Sequence, residues 1–239
     1  MILLSTVYQQ SSKRNPTLNN LDPENRLFAR YNLRRLEAEA VRDFILATTY
    51  NLNLNTGGPS VPVTTNGEGK VVIGIQKIRD GLAAGVSEQK AAALRRSAFV
   101  EVNRSLPLNI LATFDLPEMT PNCDNRRETT VATQSLWFLN DDQIVQLTNQ
   151  LSERLFMKYP DNNNQRLNTL FSRLYSTVPK PTEKNLISDF LKRQEEYFKA
   201  DQNADWQKII KKHPEAPKKR ALAALAQVLM ASNRFLYID

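Results

Sequence analysis

Three arginine pairs, Arg34-Arg35, Arg95-Arg96 and Arg126-Arg127, together with Arg104, are the residues of this chain best equipped for chemistry. A guanidinium group is planar, stays charged and offers its donors as a fork, so it grips a carboxylate, sulfate or phosphate through parallel bonds. A convergent set would form an anion pocket, and Arg35, Arg96, Arg104, Arg126 and Arg127 are its candidate members. The competing use is structural. The same side chains can pair with Glu37, Asp43, Glu101, Asp115 and Glu128 and hold loops to helices, because a loop laid over a core needs partners for its backbone.

Other chemistries find little support. Glycosidase chemistry needs two carboxyl groups roughly 5 to 10 Å apart across a cleft, and Asp115 with Glu118 is an ordinary spacing for unrelated acids. His213 is the single histidine and lies in Lys211-Lys212-His213-Pro214, so a serine nucleophile lacks a well-placed base and a multi-histidine metal site lacks ligands. Cys123 is the single cysteine. It excludes an internal disulfide and a cysteine-rich metal site, and with no Cys-x-x-Cys-His sequence there is no c-type haem attachment. The run Gly67-Glu68-Gly69 meets Val72 where a dinucleotide fingerprint needs glycine, and Gly69-Lys70 lacks a following Ser or Thr. The expectation is a protein without catalytic residues, metal ligands or cofactors.

The net charge is +7 and the pI about 9.5, which favours acidic partners such as an anionic polysaccharide. The 32 basic and 25 acidic residues are interspersed, so a generally basic surface also fits. Nucleic acid is disfavoured because basic residues and aromatics do not interleave in a stripe. No apolar run approaches the ~18 residues of a spanning helix. Met1–Val7 lacks the basic start and cleavage site of an export signal, so none is expected here.

The elements that must position these groups are mainly helical. Leu33, Leu36, Ala40, Val41, Phe44 and Ile45 recur at helical spacing over Asn32–Thr49, with Arg35, Glu39 and Arg42 on the opposite, solvated face. All seven glycines lie between Gly57 and Gly85. Val61, Val63, Val71, Val72, Ile73 and Ile75 around Asn66-Gly67 predict a hairpin, with a possible third strand at Ala98–Val102. Between these lies a short alanine-rich helix capped by Ser87. Pro107 opens a helix ending at Leu116-Pro117, and Glu118–Thr133 reads as an ordered loop.

From Gln134 onward the pattern is strongly helical. Asn140 and Gln143 form a capping box, and Ile144, Leu147, Leu151 and Leu155 share one face. Further helices carry Leu167–Leu174 and, capped by Thr182, Leu186–Phe198. Lys208–Arg220 reads as a charged linker, Ala221–Ser232 as the last helix, and Phe235–Ile238 as a tail docked on the core. The fold class is therefore mainly α, bundle-like, with a small hairpin or three-stranded sheet around residues 60–102. Residues 1–159 form the main domain and 160–239 a helical extension packed on it as one structural unit.

The order of motifs then carries a resemblance. Arg26, Arg34-Arg35-Leu36-Glu37-Ala38-Glu39-Ala40-Val41-Arg42-Asp43, Gly57-Gly58-Pro59, Arg95-Arg96-Ser97 and Phe114-Asp115-Leu116-Pro117 are followed by Cys123, Arg126-Arg127, Thr129-Thr130, Gln134-Ser135-Leu136 and Leu139-Asn140. Ser232-Asn233-Arg234-Phe235-Leu236-Tyr237 closes the series. Over nearly its whole length the chain resembles the planctomycete-type domain of unknown function (the 1553 family) found at the C-terminus of large proteins that often carry a cytochrome c domain. The resemblance implies an exported, periplasmic or otherwise extracytoplasmic multidomain context. Other domains of a parent protein, a haem-bearing one included, would be its partners, and it brings no known activity. Ser5–Ser12 resembles an interior motif of the longer proteins, so the chain reads as a fragment. Gln9, Tyr50 and Thr133 depart from the family pattern. Tyr50 stands where a glycine usually ends the first helix, and Asn51 is expected to take the left-handed position instead.

Overall fold

The computed structural model describes residues 2–74, 86–117 and 129–238, and for 86–89 the backbone only. In chain order the elements are a 3-10 turn at Ile2–Leu4, then α1 (Pro16–Leu21), β1 (Arg34–Arg35), α2 (Ala38–Thr48), β2 (Val63–Thr65), β3 (Val71–Ile73) and α3 (Val86–Ala93). A second 3-10 turn at Ser97–Phe99 precedes α4 (Asn109–Thr113), α5 (Ala132–Asn140), α6 (Asp142–Lys158), α7 (Asn163–Tyr175) and α8 (Pro181–Ala200). The chain finishes with α9 (Ala204–Lys212), α10 (Ala216–Met230), α11 (Asn233–Leu236) and β4 (Tyr237–Ile238). The fold is mainly α, with two small antiparallel two-stranded sheets among the described residues. Its contacts divide it into two compact units: Met1–Leu36 with Leu236–Asp239, and Glu37–Phe235.

The smaller unit is held by polar groups. Asn15 caps α1 by accepting from the Thr17 amide at 3.0 Å, and Pro16 takes the first helical position, where its missing N–H costs nothing. The Asp22 carboxylate accepts from the amides of Arg26 (2.9 Å) and Leu27 (2.7 Å), which hold its pKa below the usual carboxylate value. Buried Asn25 donates to Arg30 O and Asn32 Oδ1, both at 2.7 Å. Arg34 and Arg35 pair antiparallel with Ile238 and Tyr237, and the Leu36 amide donates to Leu236 O at 2.7 Å. That pairing removes Asn32–Glu37 from the helix that periodicity predicts, so α2 starts at Ala38 and Arg35 sits in a strand.

The larger unit is built around α10, which packs chiefly on α8 and α6 and also on α5, α7 and α9. Its Ala221, Ala223 and Ala226 are buried beside Leu222, Leu225 and Met230. Small side chains at those positions let neighbouring helices approach closely while the leucines fill the gaps. Against the linker expectation, Lys208–Arg220 is helical except at the turn around His213-Pro214-Glu215, because Ile209 and Ile210 give α9 an apolar side and Pro217 fits the first turn of α10.

An aromatic cluster joins the rest. Phe138 meets Phe114, Trp137 and Phe235 edge-on at 5.6, 5.4 and 5.8 Å, and Phe235 stacks on Phe44 at 4.7 Å. Such pairs add roughly 0.5 to 1.5 kcal/mol each beyond burial.

The hairpin forms, but its turn differs from the Asn66-Gly67 reading. Asn66 Oδ1 accepts from the amides of Glu68 (3.1 Å) and Lys70 (2.9 Å), and the positive φ, +78°, falls on Gly69. In place of a third strand, Ser97–Phe99 makes a 3-10 turn, and Val61 and Val100 form an isolated parallel bridge. The helix expected from Pro107 starts at Asn109.

Candidate functional site

Three side-chain clasps hold backbone groups in the larger unit, and arginine makes the first two. On α2, Arg42 is 3% exposed, not on a solvated face as its spacing suggests. Its Nη1 donates to Arg95 O (2.9 Å) and Ser97 Oγ (3.2 Å), and its Nη2 to Ala93 O (2.8 Å). Burial lowers its pKa to about 10, against the pull of Asp43. Asp43 Oδ1 in turn accepts from the amide and hydroxyl of Ser97, both at 2.7 Å, and Oδ2 faces Arg96 Nε at 3.5 Å. Arg95 extends the clasp by donating to Pro59 O at 2.9 Å and to Gly57 O, with its guanidinium 4.1 Å from the Phe99 ring centre. Gly57 and Gly58 have φ of +80° and +79°, which lets the chain present the Gly57 and Pro59 carbonyls to that fork at little steric cost.

The second clasp closes the C-terminus of α2. Arg154 from α6 donates to Thr49 O (3.0 Å) and Tyr50 O (2.6 Å), and Arg173 from α7 donates to Ala47 O and, at 3.3 Å, to Thr48 O. Two cations thus meet the negative end of the helix dipole and occupy its orphan carbonyls. Tyr50 itself takes the left-handed conformation, φ +61°, correcting the expectation for Asn51. Its ring lies 3.8 Å from the Arg173 guanidinium, a cation–π contact that offsets the backbone cost.

The third joins Asp115 to the far side of the segment after Pro117. Its carboxylate accepts from the Thr129 amide and hydroxyl at 2.8 Å, and Gln134 Nε2 donates to Thr113 O and Thr129 O at 3.1 Å. Asp115 is thereby engaged in fastening two segments together; Glu118, its proposed partner, lies outside the described residues.

Two cavities of substantial volume lie among the described residues. In the smaller unit, Ile2, Val7, Tyr8, Phe28, Tyr31 and Leu33 are among the residues lining about 450 Å³. In the larger unit, about 290 Å³ is enclosed by α6, α7, α8 and α10. Buried Arg166, Ala221 and Leu222 and half-buried Phe156 and Leu191 form its inner wall, and exposed Asn163, Ser188, Lys192 and Lys218 its mouth. Arg166 Nη1 donates to Tyr159 O (2.6 Å) and Pro160 O (2.7 Å), while its guanidinium lies 4.0 Å from the Phe156 ring centre and burial lowers its pKa.

Of the predicted anion-binding residues, Arg35 is buried in β1 of the smaller unit. In the larger unit, Arg96 is exposed beside Asp43 and Arg104 is exposed between Val100 and α4. Arg126, Arg127 and Cys123 lie outside the described residues. Sequence reasoning overlooked Arg154, Arg166, Arg173 and Lys192, which look like ordinary solvated positions on helices, and took Lys218 as part of a charged linker. Among the described residues, no group of three or more His, Cys, Asp or Glu is placed to hold a metal ion.

A family model for a protein of unknown function (DUF1553), PSD1, matches residues 1–191. The chain belongs to that family. Matched to PSD1 are Arg35, all three clasps and Arg166, while Lys192 and α10 follow the matched span. No curated protein and no solved structure matches the chain.

Proposed function

We propose that this PSD1 chain is a non-enzymatic interaction module of an exported multidomain protein, docking through its smaller unit onto an apolar segment of a neighbouring domain, a haem-bearing one included. One observation carries the reading: the cavity lined by Ile2, Val7, Tyr8, Phe28 and Leu33 leaves those side chains largely in water, with Phe28 62% and Leu33 61% exposed. Covering apolar surface returns roughly 25 cal/mol per Å², and contiguous exposed apolar surface marks interaction sites. Conversely, Arg42, Arg95, Arg154 and Arg173 are occupied in holding the fold. The test is light scattering and calorimetry of the chain with the adjoining domain of its parent protein. V7D/F28D is expected to weaken a measurable complex by at least tenfold, and an unaltered affinity would sink the reading.

An anionic, sulfated polysaccharide is the second reading, favoured by the exposed guanidinium groups of Arg96 and Arg104. Retention on a sulfated glucan column should fall with salt and drop further in R96E/R104E; elution without salt dependence would end it.

A further inference from the structure

The cavity among α6, α7, α8 and α10 has a charge pattern that the clasps do not explain. Arg166, Lys192 and Lys218 line it, with Glu195 as the acid among its lining residues, and that carboxylate is held by Lys199 at 2.6 Å. Neither Lys192 nor Lys218 forms an ion pair among the described residues. Arg166 is 8% exposed, and its Nε has no hydrogen-bond partner, although a buried charged donor is normally satisfied. Two helix N-termini also bear on the space, because Asn163 is the first residue of the 13-residue α7 and Lys218 lies in the first turn of the 15-residue α10. Helix starts carry the positive end of the dipole and favour anions. Beside these groups, Phe156, Leu191 and Leu222 supply an apolar wall.

We propose that this cavity binds a small organic anion, with a carboxylate, phosphate or sulfate head set among Arg166, Lys192 and Lys218 and an apolar body against Phe156, Leu191 and Leu222. A volume of about 290 Å³ stands at the lower end of the usual range for ligand sites, roughly 300 to 1,000 Å³. It suits a single-ring molecule and leaves no room for a polymer segment. Buried Arg166 is fixed by Tyr159 O and Pro160 O and therefore preorganised, whereas the two lysines at the mouth steer the anion inward. The site is independent of the docking cavity in the smaller unit.

Calorimetry of the full chain with phenyl phosphate, inorganic phosphate and phenol tests it. Phenyl phosphate is expected to bind saturably at millimolar concentration, more tightly than either fragment, and to weaken with added salt. K192E and K218E, both at exposed positions, should each lower its affinity about tenfold, while K13E in the smaller unit, an equal change in net charge, should leave it unaltered. Phenol binding as well as phenyl phosphate, inorganic phosphate binding as well as phenyl phosphate, or K13E matching K192E would each overturn the assignment, as would no binding at all.

Discussion

At the scale of single residues, arginine acts here mainly as a carbonyl ligand. Arg42 satisfies Ala93 O and Arg95 O in a dry setting, so R42M leaves two acceptors without donors. Its unfolding free energy in urea should fall by about 3 kcal/mol, and R42K should recover only part of that, since one ammonium does not reproduce the fork. R173M removes a donor pair from the end of α2 and should lower stability by about 2 kcal/mol. Tyr50 is different. In Y50G the relief of a left-handed backbone, about 1 kcal/mol, opposes the loss of the Arg173 cation–π contact, of similar size, so the denaturation midpoint should barely move.

At the scale of elements, helix starts depend on particular caps. The α6 cap is Asp141, whose Oδ1 accepts from the amides of Gln143 (3.0 Å) and Ile144 (3.4 Å), whereas the Asn140–Gln143 box inferred from spacing does not form because Asn140 completes α5. Burial raises the Asp141 carboxyl above its ordinary 3.8, even though those amides pull it down. Between the unfolded and folded values the native state binds more protons, so this carboxyl's contribution to stability falls as pH rises through that window and is lost above it. D141N keeps an acceptor without the charge, so its stability relative to the parent should improve from acid toward neutral pH in thermal melts. D141A should cost about 1 kcal/mol at neutral pH. Likewise, α8 begins at Pro181 with Glu183 accepting from the Lys180 amide at 2.6 Å, one residue before the cap that Thr182 suggests.

At the scale of the molecule, stability concentrates where α10 and the aromatic cluster meet the surrounding helices. F138A opens a void among Phe114, Trp137 and Phe235 and should reduce unfolding free energy by about 3 to 5 kcal/mol. A226L, at a fully packed small-residue position, should cost about 1 to 3 kcal/mol by overpacking. Calorimetric melts of both variants check whether the core lies where α10 places it.

Helix periodicity over Ile144–Leu155, Leu167–Leu174 and Ala221–Met230, the hairpin around Asn66 and the family motifs were all legible in the sequence. They are local properties, set by a repeat of 3.6 or 2 residues and by turn chemistry within a few positions. The true start of α2 was hidden, because strand β1 is chosen by Tyr237 and Ile238, some 200 residues away. Arg42 gave no sign of burial for a related reason: its partners are carbonyls, which every residue type carries, and their positions exist only after folding. Arg166, Lys192 and Lys218 are scattered over three helices and acquire a common purpose only through packing. Sequence alone therefore determined which segments are helical and which family they build, while tertiary structure decided which charges are buried, what they hold and where a cavity is left among them.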